Sequence, residues 1–142
     1  MLKILLNGIG NTIMNKIRRS LKNKKESKLA IVGLGYVGLP LAIEFGKKRD
    51  VIGFDINKQR INQLKNAIDT SLEVSKKDFK LSKYLKFTNK INEIRECDKF
   101  IVTIPTPVNK KNSPDLNLLK KCCEMIGSII KKGDLIIFES TV

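Results

Sequence analysis

Histidine and tryptophan are absent from this 142-residue chain, and aromatics are scarce, with two tyrosines and six phenylalanines. Without an imidazole, histidine-based acid–base catalysis has no agent, and no Cys/His cluster exists to hold structural zinc. Scarce aromatics offer poor material for stacking nucleic-acid bases. Only three cysteines occur, Cys97, Cys122 and Cys123, with no CxxC spacing. An odd count with two neighbours argues against a disulfide framework and for reduced thiols in a cytoplasmic setting. All three are expected to serve as small apolar packing groups. No apolar run reaches the roughly 18 residues of a membrane span. Acids are also short, 14 against 28 basic residues, for a net charge of +14. Such a balance raises nucleic-acid binding, but the basic residues are scattered, lysine far outnumbers arginine, and no nucleic-acid module pattern appears. A solvated lysine surface without a nucleic-acid partner is expected, part of its charge attracting an anionic ligand. With 42% hydrophobic and 30% charged residues, the chain reads as one soluble domain long enough to bury a core.

What is present is concentrated in residues 28–55. The run Lys28-Leu29-Ala30-Ile31-Val32 leads into Gly33-Leu34-Gly35-Tyr36-Val37-Gly38, and a second apolar run, Val51-Ile52-Gly53-Phe54, ends at Asp55. Strand, GxGxxG turn, helix, strand and acid follow in the order of a dinucleotide site. Gly33 permits the tight turn, Gly35 lets the backbone approach a pyrophosphate, and Gly38 allows helix to pack on strand. The helix beginning near Tyr36 aims its free N–H groups and positive dipole end at the phosphates. Asp55, 22 residues after Gly33, accepts hydrogen bonds from a ribose diol and repels a 2′-phosphate. NAD is therefore expected over NADP.

The rest of the chain alternates between strand and helix. Residues 1–27 stand apart as a basic N-terminal extension with seven basic residues and one acid. Leu2, Leu5, Leu6, Ile9, Ile13, Ile17 and Leu21 recur at helical spacing, weakened by Gly8 and Gly10; a poorly ordered extension is expected. Its Asn7-Gly8-Ile9-Gly10 imitates a nucleotide turn but has Ile13 at the third glycine position. From residue 28 the pattern predicts strands over 28–32, 51–55, 85–88, 100–104 and 134–139. Helices are predicted over 36–48, with Val37, Leu41, Ala42 and Phe45 inward, and after Asn57, with Ile61, Leu64 and Ile68 on one side. Further helices are predicted near 76–82, over 90–97 and over 116–131. The fold class is α/β, a Rossmann-like doubly wound parallel sheet of strand order 3-2-1-4-5. Gly33 to Gly38, Thr106 and Thr141 then converge on the crevice where the order reverses.

The motifs now on the page resemble a known family. Gly33-Leu34-Gly35-Tyr36-Val37-Gly38-Leu39-Pro40-Leu41-Ala42, Gly53-Phe54-Asp55-Ile56-Asn57, Pro105-Thr106-Pro107 with Pro114-Asp115-Leu116, and Glu139-Ser140-Thr141-Val142 are together similar to the N-terminal NAD-binding domain of the UDP-glucose/GDP-mannose dehydrogenase family. Their form looks most like the branch acting on UDP-N-acetylhexosamines, glucosamine or galactosamine, in surface polysaccharide biosynthesis. The likeness covers residues 28–142. It implies oxidation of a sugar C6 alcohol to a carboxylate with two NAD⁺, through an aldehyde and a thioester on a cysteine. It further implies that Tyr36 and Val37 hold the pyrophosphate with Gly33, Gly35 and Gly38, and that Asp55 and Arg60 hold the adenosine ribose. Thr106 and Pro107 would lie along the cofactor, Ser140 would contact it, and Thr141 would sit by the nicotinamide and place a catalytic water.

In that family the nucleophilic cysteine, the linking helix and the UDP-sugar domain come after the position matching Val142. The chain is therefore expected to be the NAD-binding portion of a larger enzyme, inactive alone, dimeric only when the later segments are present. Two other readings stay open: the NAD domain of another hydroxy-acid dehydrogenase, and a non-enzymatic NAD- or partner-binding module.

Overall fold

The structure, a computed structural model, describes residues 27–108 and 114–139. The predicted extension up to residue 26, the loop tip 109–113, and Ser140 and Thr141 lie outside the described residues. Five strands form one sheet: β1 (Leu29–Val32), β2 (Val51–Phe54), β3 (Leu85–Thr88), β4 (Lys99–Val102) and β5 (Leu135–Phe138). All neighbours are parallel and the spatial order is β3-β2-β1-β4-β5, the order the sequence predicts. A parallel sheet needs apolar residues on both faces, because its crossovers lay helices over each. The unbroken Leu29-Ala30-Ile31-Val32 run meets this demand, and all four are buried.

Alternate residues of β1 feed two cores. Leu29 and Ile31 join Leu34, Leu39, Ala42, Ile43, Val51, Ile61 and Leu64 on one face. Ala30 and Val32 join Phe54, Ile94, Cys97, Phe100, Cys122 and Ile126 on the other. The first face is covered by α1 (Gly38–Gly46) and α2 (Lys58–Lys65), and the second by α4 (Asn117–Gly127). A short helix, α3 (Lys76–Leu81), opens with a capping box between Ser75 and Asp78, which satisfies two N-terminal donors at once. At the sheet rim β5 pairs with β4, and its Leu135, Ile137 and Phe138 are exposed. Among the described residues no helix is long and apolar enough to cross a membrane.

Four expectations are corrected. Val37 is exposed, because the helix begins one residue later at Gly38; the inward arc is Leu39, Ala42 and Ile43, with Leu41 and Phe45 packed at its flank. Ile68 is also exposed, because α2 ends at Lys65 and the positive φ of Ala67, 53°, turns the chain off the helical path. Over 90–97 only a single 3₁₀ turn forms, Ile91–Ile94. The helix predicted to reach 131 stops at Gly127, where the Ile129 N–H bonds back three residues to the Ile126 carbonyl and tightens the final turn.

The cysteines divide as well. Cys97 and Cys122 are buried core members, whereas Cys123 is exposed and is not a packing group. Burial pushes the Cys97 and Cys122 thiols up to about 11, far from thiolate formation at neutral pH. In the native chain a thiol reagent at pH 7.5 is expected to label Cys123 quickly and the other two only on unfolding. Mass spectrometry of the labelled chain checks this, and rapid triple labelling would contradict it.

Packing between α1 and β1 yields a second prediction. A Cβ on Gly38 would sit 1.8 Å from the Gly33 carbonyl oxygen and 2.4 Å from Thr103 Oγ1. Overpacking costs roughly 1–3 kcal/mol, and at the first position of α1 alanine recovers little of that cost. Gly38→Ala is therefore expected to lower stability by about 2 kcal/mol in urea unfolding, and an unchanged midpoint would refute the close approach.

Candidate functional site: a glycine turn at the carboxyl edge of the sheet

Val32 ends β1, and Gly33 turns the chain with a φ of 94° that L side chains rarely adopt. Its N–H donates to the Phe54 carbonyl at 2.8 Å, tying the turn to the end of β2. Thr103, at the end of β4, donates its buried hydroxyl to the Gly33 carbonyl at 2.7 Å. Motif reading missed this residue, although a lone hydroxyl in the apolar run from Phe100 to Ile104 is a signal, since a buried hydroxyl requires a partner.

The three glycines face different surroundings. A Cβ at Gly33 would press on Ile104 at 2.9 Å, and one at Gly38 would overlap the Gly33 carbonyl. At Gly35 a Cβ would meet nothing within 4 Å. Gly35, Tyr36 and Val37 are exposed, whereas Gly33, Leu34 and Gly38 are buried. The turn thus has a packed base and an open crown.

Helix α1 rises from that crown. Its N-cap Val37 supplies no side-chain acceptor and its first turn holds no acid. The other α-helices are served by Asn57, Ser75 and Asp115, which accept from the Arg60, Asp78 and Asn117 amides. The Leu39 N–H is taken by the Gly35 carbonyl and Pro40 has none, so the amides of Tyr36, Val37 and Gly38 suit an anion here, attracted also by the helix dipole. A pyrophosphate fits the donor set and the open ground over Gly35.

Asp55 follows β2 and is half-buried. Its Oδ2 accepts the Leu34 N–H at 2.9 Å and its Oδ1 the Asn57 N–H at 2.8 Å. An ionised carboxylate has about four acceptor positions, so two amides leave room for a pair of hydroxyls. Arg60 lies on the first turn of α2 and sends its Nε to the Leu34 carbonyl at 3.1 Å. Both backbone polar groups of Leu34, in the two peptides that flank it, are therefore held.

The other end of the Arg60 guanidinium meets the segment after α2. Its Nη2 pairs with Asp69 Oδ1 at 2.8 Å, with the Asp69 side chain 1% exposed. Ser71 and Thr70 hydroxyls complete the contacts. Asp69 also accepts the Ser71, Glu73 and Val74 amides and the Ser71 hydroxyl. The motifs contain no position for Asp69; the signal that could have found it is Ser71 two positions on, an Asx turn.

Beyond β4, Pro107 is exposed and Thr106 half-buried on the loop from Pro105. The Asp115 N–H closes this loop on the Pro107 carbonyl at 2.6 Å, beside a bridge between Val108 and Pro114. Against α1, a cleft of about 690 Å³ that shares Tyr36 and Val37 with the turn is also lined by Leu41, Phe45, Ile101 and Ile137, with Glu44, Glu73 and Glu139 around it. Gly33, Gly35, Tyr36, Val37, Gly38, Asp55 and Arg60 thus form one neighbourhood at the carboxyl edge, while Ser140 and Thr141 lie outside the described residues. Among the described residues no group of three or more histidine, cysteine or acidic side chains is arranged to hold a metal ion.

Residues 27–142 match the UDP-glucose/GDP-mannose dehydrogenase family, NAD binding domain. The chain belongs to this family. It is 53% identical to UDP-N-acetyl-D-glucosamine 6-dehydrogenase of Pseudomonas aeruginosa over 118 residues, which cover 83% of the chain and 28% of that enzyme. It is 52% identical to the enzyme of the same name from Salmonella typhi over 117 residues, 82% of the chain and 28% of that relative. Among solved structures, the UDP-N-acetyl-mannosamine dehydrogenase Cap5O of Staphylococcus aureus superposes with a TM-score of 0.69 at 39% identity, covering 82% of this chain and 29% of that one. The chain thus spans little more than a quarter of the relatives it matches, and the shared part is the NAD-binding domain of UDP-sugar dehydrogenases.

Asp69 gives this domain a defined acid sensitivity. Burial pushes its carboxyl up, but hydrogen bonds from Ser71, Arg60 and the Val74 amide outweigh burial and hold it down at about 2, against an ordinary 3.8. A carboxyl lowered on folding stabilises fully above its unfolded value and loses that contribution as pH falls through the folded one. Between pH 5 and 2 the loss attributable to Asp69 is about 2 kcal/mol. Urea unfolding of wild type and Asp69→Asn across this window is expected to show the wild type losing that much more stability. Parallel curves would contradict the assignment.

Proposed function

We propose that this chain is the NAD-binding part of a nucleotide-sugar 6-dehydrogenase that oxidises a UDP-N-acetylhexosamine, glucosamine or galactosamine, to its uronic acid for surface polysaccharide biosynthesis. The observation carrying this reading is the division among the glycines: two are sealed by protein atoms, while Gly35 faces open space beside a helix start and an acid. The names of the relatives support the substrate class. In this proposal Gly33 and Gly38 shape the turn, while Gly35, Tyr36 and Val37 meet the pyrophosphate. Asp55 takes the adenosine ribose hydroxyls, and Arg60 supports that ribose by holding the Leu34 carbonyl. Thr106 and Pro107 lie along the nicotinamide half, Ser140 contacts the cofactor, and Thr141 stands by the nicotinamide as the catalytic contribution of this domain. NAD supplies the hydride acceptor when bound; these residues hold and orient it. The enzyme to which this domain belongs works in the cytoplasm, as a homodimer, on a UDP-sugar substrate.

Isothermal titration of the chain with NAD⁺ is expected to show binding, with NADP⁺ weaker by about tenfold or more, the equivalent of 1.4 kcal/mol of repulsion at the 2′ position. Gly35→Val is expected to abolish binding while leaving the far-ultraviolet circular dichroism unchanged, because its side chain fills only the open crown. Equal affinity for both coenzymes would remove Asp55 from the ribose, and full binding by Gly35→Val would remove the pyrophosphate from the turn.

A further inference from the structure

The ribose end of this site carries both signs of charge. An acid after the second strand suits a free 2′-hydroxyl, whereas a nearby arginine accommodates a 2′-phosphate. Asp55 and Arg60 are five residues apart and hold the N–H and the carbonyl of the same residue, Leu34. A free guanidinium here would welcome the phosphate that Asp55 repels, and the two would work against each other.

Arg60 is not free. Its Nε donates to the Leu34 carbonyl, Nη1 meets Thr70, and Nη2 is shared between Ser71 and Asp69. Four contacts nearly exhaust the five N–H groups of a guanidinium. Its carboxylate partner is also fixed: Asp69 is nearly sealed from solvent and holds three loop amides besides Arg60. Exchange of Asp69 for an incoming phosphate would leave that carboxylate buried without its cation, a costly state.

We propose that Asp69 is a specificity-determining residue, which enforces NAD over NADP by binding Arg60 and withdrawing its charge and donors from the 2′ position of the adenosine ribose. The idea rests on the coenzyme reading above and adds a residue that never touches the coenzyme. Asp55 repels the 2′-phosphate directly; Asp69 removes the group that would compensate. The glycine fingerprint contains no position for such a residue, because its partner is reached through a loop beyond α2.

The test is titration of the full 142-residue chain with NAD⁺ and with NADP⁺, for wild type, Asp69→Asn, Arg60→Gln and the double variant. The readout is the ratio of the two dissociation constants, which loosening of the fold alone would not move. Asp69→Asn is expected to narrow the preference for NAD⁺ by about tenfold, chiefly through tighter NADP⁺ binding. Arg60→Gln is expected to widen it, and the double variant to return within about threefold of wild type, since a neutral pair has been removed as a unit. Equal weakening of both coenzymes in Asp69→Asn would overturn the proposal and leave Asp69 a loop staple. Should Asp69→Asn not fold, Arg60→Gln and the double variant decide: a double variant that keeps the widened preference overturns it. Wild type that binds neither coenzyme sinks the NAD reading itself; NAD⁺ binding with an unmoved ratio sinks this inference alone.

Discussion

Leu34 is the residue on which this domain turns. Its N–H is held by Asp55 and its C=O by Arg60, while its side chain is fully buried between the sheet and α2. A short stretch of backbone at the end of β1 would otherwise be a flexible glycine hinge. Two polar anchors and one apolar one convert it into a rigid platform, from which Gly35 and the start of α1 project. Preorganisation of this kind lowers the ordering cost of binding.

Both anchors come from the second βα unit, so the second strand does more than extend the sheet. Asp55 arrives because β2 ends in register with β1, where Val32 faces Phe54. Arg60 arrives because Asn57 accepts its amide and starts α2 at that point. Thr103 approaches from the opposite neighbour of β1 and fixes the Gly33 carbonyl. Strands on both sides of β1 therefore brace the turn, consistent with ligand binding where strand order reverses.

Much of this was legible in the residues. The apolar runs of β1, β2 and β4, punctuated by Gly33, Asp55 and Pro105, encode a parallel sheet covered on both faces, and the strand order follows from handedness. The glycine turn, Asp55 and the Asn57 cap are local signals read at short range. Less legible was the phase of α1. Val37 has the right residue type for a core position, but the helix starts only at Gly38, so the buried arc shifts to Leu39, Ala42 and Ile43. The roles of Thr103 and Asp69 were hidden for a different reason. Thr103 meets Gly33 across 70 positions, and nothing in a linear pattern records such a meeting. Asp69 lies in a polar loop where the Asx spacing to Ser71 marks a turn, but its burial beneath Arg60 has no counterpart in the linear pattern.

Among the described residues, strand β5 carries Leu135, Ile137 and Phe138 in exposed positions at one end of the five-strand array. The surplus of 14 positive charges on the whole chain gives it a field that reaches beyond its surface. Because such a field fades as ions shorten its reach, salt weakens the same attraction that draws an anionic coenzyme toward the apolar rim and the turn beside it.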